Sequence, residues 1–332
     1  MRTYLLKRLL LIPVTLLGIS ILSFVLIRAS GDPASILIGS AISGNVRQTD
    51  VLRKTIIEWR HQQGLDLPWH RHYALWITKM GRLDFGGSWD DPSRTVMSLI
   101  AEKIPATLQI NVISFVLIYL LAVPLGIFSA ARSGTFLDRT VSFLLFVLYS
   151  LPSFWVGLLL IYGLGEWIPF RGLSDINADR MGPIPWLWDR TLHLLLPVFC
   201  LTYAELAALS RYMRSGMLEV LRQDYIRTAR AKGLPERRVI LRHALRNALI
   251  PIVTLMATIL PDLIGGSVVI ENLFSIDGMG RLVYTAILKR DLPVVMGTVV
   301  LSALLTLAGL LLADFVYVWI NPTITFEKAE TG

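Results

Sequence analysis

Two carboxylates stand where charge is costly. Glu205 is the only Asp, Glu, Lys or Arg in Thr191–Ser210, and Asp262 the only one in Ala248–Ile270. On insertion scales an ionised side chain at mid-bilayer costs roughly 2.5–3.5 kcal/mol, and such residues face a cavity or a partner. A pair of acids can exchange protons, attract a cation or bond one helix to another. No His-Glu-x-x-His accompanies these two, which removes the simplest metal-hydrolase reading. Attraction of a passing cationic group and a structural hydrogen bond are what remain. His61, His70 and His72 lie close in sequence; we read them as solvated histidines rather than a nickel or zinc site. Cys200 is the single cysteine, so no intrachain disulfide and no cysteine-based zinc site is expected. The chain contains no Gly-Lys pair and hence no phosphate-cradling P-loop of its own.

The elements that must position these residues are apolar. Hydrophobic residues make up 54% of the 332 and charged residues 17%, against roughly 45–50% and 25% in soluble domains. Disordered chains, coiled coils and disulfide-stapled modules are excluded, and a water-soluble enzyme is disfavoured. Spanning a bilayer takes about 20 mostly apolar residues per helix. Six segments qualify, at about 9–27, 104–131, 140–165, 191–212, 248–270 and 292–318. The expected fold is therefore all-α, a single polytopic domain over 1–332 with six transmembrane helices. The first segment reads as an uncleaved helix, because Arg28-Ala29-Ser30 is a poor cleavage site.

Short-loop charge sets the orientation. Three basic residues and no acid precede the first segment, which places the N-terminus in the cytoplasm, and six crossings return the C-terminus there. Met213–Asn247 is then cytoplasmic. It carries nine Arg and Lys against three acids, most of the chain's net +8. The basic charge is thus loop bias and not a nucleic-acid surface. The other long segment, 28–103, lies outside. It is expected to hold an amphipathic helix near Val51–Gln63, a break over Gly64–Pro68, a second helix over Tyr73–Met80 and a turn over Leu83–Ser88. Trp59, Trp69, Trp76 and Trp89 are its apolar anchors.

Within the basic segment, Met217, Leu218, Leu221 and Tyr225 fall within about 100° of one another on a helical wheel, with Arg227 and Arg230 opposite. Gly233 and Pro235 end that helix. Such a helix can lie on anionic lipid, enter a partner's groove or serve as a gate linker; chemistry alone leaves the three open.

The segment Arg211–Leu234 (RYMRSGMLEVLRQDYIRTARAKGL) closely resembles the coupling segment of ABC importer permeases, dipeptide/oligopeptide/nickel family, B-type subunit. Arg242–Pro251 (RHALRNALIP) fits as well. So do Gly31-Asp32-Pro33, Leu65–Pro68, Asp84–Ser88, Pro105–Leu108, Ser150–Trp155, His193–Pro197, Glu271–Phe274, Gly278–Gly280 and Arg290–Val295, in order along nearly the whole chain. The wider permease pattern begins Glu-Ala-Ala; here Arg227-Thr228-Ala229 takes those places and Gly233 the later glycine. Asp277 stands where the family often has Pro, and Met296 where Gln is usual.

The resemblance implies a type I ABC importer permease fold with a large outer loop between helices 1 and 2, in a bacterial inner membrane. It implies pairing with a C-type permease subunit, two cytoplasmic ATPase subunits, an extracytoplasmic solute-binding protein and surrounding membrane lipid, with no nucleic acid. The cargo would be a short peptide, with a nickel chelate, glutathione or another small solute as the alternative. A stand-alone channel or secondary transporter and a membrane-embedded hydrolase are the readings outside this class. Met217, Leu218, Glu219, Leu221, Asp224, Tyr225, Arg227, Ala229 and Gly233 would dock the ATPase, and Glu205 and Asp262 would line the pathway. No cofactor would be bound by this chain; ATP and Mg would sit in the partner ATPases. The purified polypeptide, freed of other subunits, should therefore show no ATP hydrolysis in a phosphate-release assay; activity surviving that purification would overturn the reading.

Overall fold

A computed structural model describes residues 2–29, 54, 57, 58, 60, 61, 64–256 and 259–320. Gly31-Asp32-Pro33, Trp59 and most of the helix expected over Val51–Gln63 lie outside the described residues. The elements in chain order are α1 (Arg2–Ala29), α2 (Trp69–Met80), α3 (Val96–Ala131), α4 (Phe136–Ser150), α5 (Ser153–Leu164) and a 3-10 turn (Ala178–Arg180). They continue with α6 (Pro183–Leu221), α7 (Asp224–Ala231), α8 (Glu236–Arg238), a π turn (Val239–Ala244), α9 (Leu245–Ala248), α10 (Ile250–Met256) and α11 (Ile259–Gly265). The last are α12 (Val268–Leu273), α13 (Met279–Leu288) and α14 (Leu292–Ile320). Among the described residues there is no strand, only an isolated antiparallel bridge between Gly87 and Thr95.

Among the described residues, three helices are each long and apolar enough to cross a membrane: Val96–Ala131, Pro183–Leu221 and Leu292–Leu312. The continuous crossing expected over 140–165 is instead two helices, α4 and α5, bent by 92°. Pro152 is the cause. Its ring disfavours helical backbone at the residue before it, and Leu151 is extended at φ −89°, ψ 126°. The Tyr203 hydroxyl donates to the Leu151 carbonyl at 2.6 Å, satisfying a group the break releases. The segment at 248–270 is also interrupted: α11 ends at Gly265, Gly266 takes φ +72°, and Ser267 caps α12 by accepting from the Ile270 amide. The segment at 191–212 is the middle of a longer helix. Pro183 sits at the start of α6, where a missing N–H costs nothing, and α6 runs 39 residues to Leu221. That is about 58 Å at 1.5 Å per residue, nearly twice the bilayer's apolar thickness.

Packing divides the chain into two units, Met1–Lys103 with Leu282–Leu304, and Ile104–Arg281 with Leu305–Gly332. In the first, Phe24 of α1 meets His72 and Tyr73 of α2 edge-on, at centroid distances of 5.1 and 5.3 Å. Ser20 and the Tyr73 hydroxyl share a hydrogen bond of 2.7 Å. The turn expected over Leu83–Ser88 is present, with Leu83 at φ 57° and Gly86 at φ 80°. In the second unit, one apolar cluster gathers Met213, Met217, Ile226, Val239 and Ala248. Another gathers Ile110, Cys200, Ile270 and Phe274.

Asp138, in the first turn of α4, is 2% exposed. Arg214 of α6 donates to it from Nε and Nη2, both at 2.8 Å. The Gly134 amide donates at 2.9 Å and the Ser129 hydroxyl also donates to it. The guanidinium holds the carboxyl well below the usual carboxylate range. A depressed folded-state pKa contributes stability at neutral pH that is lost only as pH falls through the folded value. Asp138→Asn should cost about 2–3 kcal/mol, reduced from a fully buried pair because Arg214 keeps some water. In thermal unfolding of the detergent-purified protein, the gap to wild type should be full above about pH 4 and close only in stronger acid.

Candidate functional site

The basic segment is built on α6. That helix passes its expected end and carries Met217, Leu218 and Leu221 as helical residues before stopping at Arg222. Gln223 is extended and the chain re-enters helix at Asp224. A helical wheel drawn through Tyr225 assumes one continuous helix, and the break at Arg222–Gln223 cancels that assumption. The expected single apolar face is therefore corrected. Met217 is fully buried in the chain's own core, and Leu218 and Leu221 pack against the same cluster. Ala229 is also buried, beside Ile226 at 0% exposure. Glu219, Asp224, Tyr225, Arg227 and Gly233 are exposed. Residue spacing missed Ile226, although Ile226 and Ala229 stand three apart, which puts them on one face of a short helix.

α7 ends in a Schellman turn. The Leu234 amide donates to Ala229 O at 3.4 Å and the Gly233 amide to Arg230 O at 2.9 Å, with Gly233 at φ +74°. These bonds satisfy carbonyls the helix end would leave open. The Arg230 guanidinium spans the turn to Glu236, Nη2 to Oε1 at 2.6 Å and Nε to Oε2 at 3.1 Å. That pair holds the Glu236 carboxyl below its ordinary value. Asn247 donates to the Tyr225 hydroxyl at 2.7 Å. The result is a short helix with a polar outer surface, held to the core by Ile226 and Ala229.

Glu205 and Asp262 line one cavity of about 370 Å³, together with Asn111, Tyr119 and Tyr212. Both acids are exposed. Among the described residues neither carboxylate has a hydrogen-bond or ion-pair partner, so the cavity presents two uncommitted acceptors. Asn111 donates to the Asp262 and Leu263 carbonyls at 2.8 and 3.1 Å. It thereby fixes α11, and with it Asp262, against α3.

Sequence motifs far apart meet at two nodes. Thr107 donates to Glu271 Oε1 at 2.9 Å and accepts from the Met279 amide at 2.8 Å. Glu271, fully buried, also accepts from the Arg281 amide at 2.9 Å. Pro105–Leu108, Glu271–Phe274 and Gly278–Gly280 are thus one hydrogen-bonded node. In the other unit, Asp291 accepts from the Ser88 hydroxyl and from the Trp89 and Asp90 amides at 3.1 and 3.2 Å. That joins Asp84–Ser88 to Arg290–Val295. Lys289 adds an ion pair to Asp90 at 2.6 Å.

Residues 122–326 match the family of binding-protein-dependent transport system inner membrane components. The chain belongs to this family. It is 40% identical over 330 residues to the oligopeptide transport system permease protein AppB of Bacillus subtilis, covering 98% of this chain and 100% of that one. A Brucella suis biovar 1 protein named as a peptide permease is 37% identical, over 98% of this chain and 99% of its own. The peptidoglycan transport system permease protein YejB of Agrobacterium fabrum is 31% identical, over 99% and 100%. This permease is a membrane component of an ABC system. The resemblance carried by its scattered motifs is thereby matched along the full length, and the nodes at Glu271 and Asp291 give several of those motifs a structural purpose.

Around Gly233 a Cβ would meet nothing within 4 Å, so any penalty there is backbone strain alone. Left-handed backbone costs an ordinary residue about 1–2 kcal/mol, less for Asn. Hydrogen exchange of the Gly233 and Leu234 amides should rise about 5- to 30-fold in Gly233→Val and change little in Gly233→Asn. Equal exchange in both variants would remove the role assigned to this glycine.

Proposed function

We propose that this chain is the B-type permease subunit of an ATP-driven importer of short peptides. One functional domain over 1–332 makes six crossings: α1, α3, the bent pair α4–α5, α6, the α10–α11 region and α14. Both termini and Met213–Asn247 face the cytoplasm, and 28–103 forms the large outer loop. A C-type permease completes the pathway, two ATPases dock on the cytoplasmic side, and an extracytoplasmic binding protein delivers the solute. The observation that carries the peptide assignment is end-to-end similarity to a permease named for oligopeptide transport.

Docking is assigned to the exposed part of the basic segment, Glu219, Asp224, Tyr225, Arg227 and Gly233. Met217, Leu218, Leu221 and Ala229 hold that part in place from beneath. When the ATPases close on ATP, they pull α7. Because α7 is anchored by Ile226 in the same core as Met213 and Met217, displacement of α7 is passed to α6, which carries Glu205. ATP and Mg stay in the ATPases, and this chain performs no covalent chemistry. Glu205 and Asp262 line the route and favour cationic groups such as a peptide's terminal ammonium or a basic side chain.

The test is uptake by the complex reconstituted in proteoliposomes with its binding protein. Wild type should accumulate short peptides only with ATP. Glu205→Gln with Asp262→Asn should lower uptake of Lys- or Arg-containing peptides about three- to tenfold relative to neutral ones, as expected for about 1 kcal/mol of cation–carboxylate attraction at about 4 Å in a water-filled passage. Equal loss for both peptide classes would remove the electrostatic role. Uptake of a nickel chelate or glutathione in place of peptides would overturn the peptide assignment.

A further inference from the structure

The docking and passage proposed above leave a second surface of the basic segment unused. It begins at Pro235 and follows the π turn into α9 and α10, where it bounds a groove of about 770 Å³. Two ridges form it, each at intervals of four residues. Arg238, Arg242 and Arg246 make the basic ridge; Leu241, Leu245, Leu249 and Val253 make the apolar one. In an α-helix, residues four apart drift by roughly 40° per step, so the two ridges would run side by side but wind slowly around the helix axis. The wider π turn at Val239–Ala244 turns the chain back and offsets that drift. π turns of this kind are frequent at functional sites.

The groove is chemically one-sided. Arg237, Arg238, Arg242 and Arg246 are all exposed, and among the described residues none makes an ion pair or hydrogen bond through its side chain. No carboxylate lines it, and the nearest acid in sequence, Glu236, is already held by Arg230. Leu241 is 46% exposed. Cation and hydrocarbon are not mixed at random, because the arginines end at Arg246 while the apolar ridge continues to Val253 inside the fifth crossing. The apolar ridge covers thirteen residues from Leu241 to Val253, about 18 Å, close to the roughly 15 Å depth of one leaflet's hydrocarbon. A free phosphate would leave the leucines uncovered, and an acidic protein surface would leave the membrane end unfilled. An amphiphile with an anionic head and a leaflet-length tail satisfies both.

We infer that the groove between the Arg238–Arg242–Arg246 ridge and the Leu241–Leu245–Leu249–Val253 ridge is a binding site for an anionic phospholipid of the inner leaflet. Its phosphate lies among the guanidiniums, which suit phosphate through their forked donors, and an acyl chain lies along the leucines. The inner-leaflet placement rests on the cytoplasmic assignment of Met213–Asn247 made above; the binding itself does not. The site adjoins α7 through the Arg230–Glu236 turn, so lipid occupancy steadies the base from which the coupling helix projects.

The experiment is native mass spectrometry of the purified full-length chain, titrated with phosphatidylglycerol or with phosphatidylcholine of identical acyl chains. Wild type should retain phosphatidylglycerol in preference to phosphatidylcholine, and inorganic phosphate should not displace it. Arg238→Gln, Arg242→Gln and Arg246→Gln combined should weaken phosphatidylglycerol binding about ten- to a hundredfold and leave phosphatidylcholine binding unchanged. Arg139→Gln, a single exposed charge elsewhere, should have little effect. Leu245→Ser with Leu249→Ser should weaken binding of both lipids. The inference is overturned if the arginine triple variant keeps its phosphatidylglycerol, if both lipids bind alike to wild type, or if inorganic phosphate competes fully. It is also overturned if the triple variant loses the ATPases on co-purification while lipid binding is unchanged, which would make the groove a protein interface. Transport is not measured, so failure of peptide uptake would leave this result standing, and the reverse holds equally.

Discussion

In hydrocarbon there is no water to satisfy a broken backbone, and each interruption of a helix must find its partner within protein. The interruptions in this permease follow that constraint. Where Pro152 ends α4, the Tyr203 hydroxyl reaches the released Leu151 carbonyl. Near the end of α11, the Asn111 amide takes the Asp262 and Leu263 carbonyls together. At the Gly265–Gly266 break, Ser267 supplies the cap for α12. A chain that satisfies its breaks from neighbouring helices fixes those helices to one another. The polar residues scattered through the apolar segments are thus positional constraints.

The same logic separates acids that build from acids that remain available. Asp138, Glu271 and Asp291 are all buried, and each accepts hydrogen bonds from several donors on more than one segment. A buried carboxylate without such partners would be strongly destabilising, so these three act as fasteners. Glu205 and Asp262 are the reverse: exposed, facing a shared cavity, and without a hydrogen-bond or ion-pair partner among the described residues. Residue type alone does not separate the two sets. The number of donors converging on each carboxylate distinguishes them.

How α7 is joined to the rest of the chain depends on where the apolar side chains of the basic segment are spent. Met217, Ile226 and Ala229 are turned inward, which leaves α7 a polar surface outside and a rigid attachment inside. The Schellman turn at Gly233 and the Arg230–Glu236 bridge stiffen the exit of α7 in the same way.

Much of this was legible in the residues. Hydropathy and the placement of Arg and Lys determined a helical membrane protein with one strongly basic segment, because the bilayer penalises charge wherever it stands. Gly233 and Pro235 announced the end of α7, since few residues other than glycine accept the left-handed backbone at Gly233 and proline has no N–H with which to continue a helix. The motif order announced the family. Tertiary structure alone decided the rest. It carried α6 on to Leu221 and broke the helix at Arg222–Gln223. Each of these depends on partners distant in sequence or on backbone choices that residue types permit without requiring. It brought Thr107 to Glu271 across 164 positions and Ser88 to Asp291 across 203. It also turned Met217 into the core, because a helical wheel records the angle between side chains and not which side of the helix the remainder of the chain will cover.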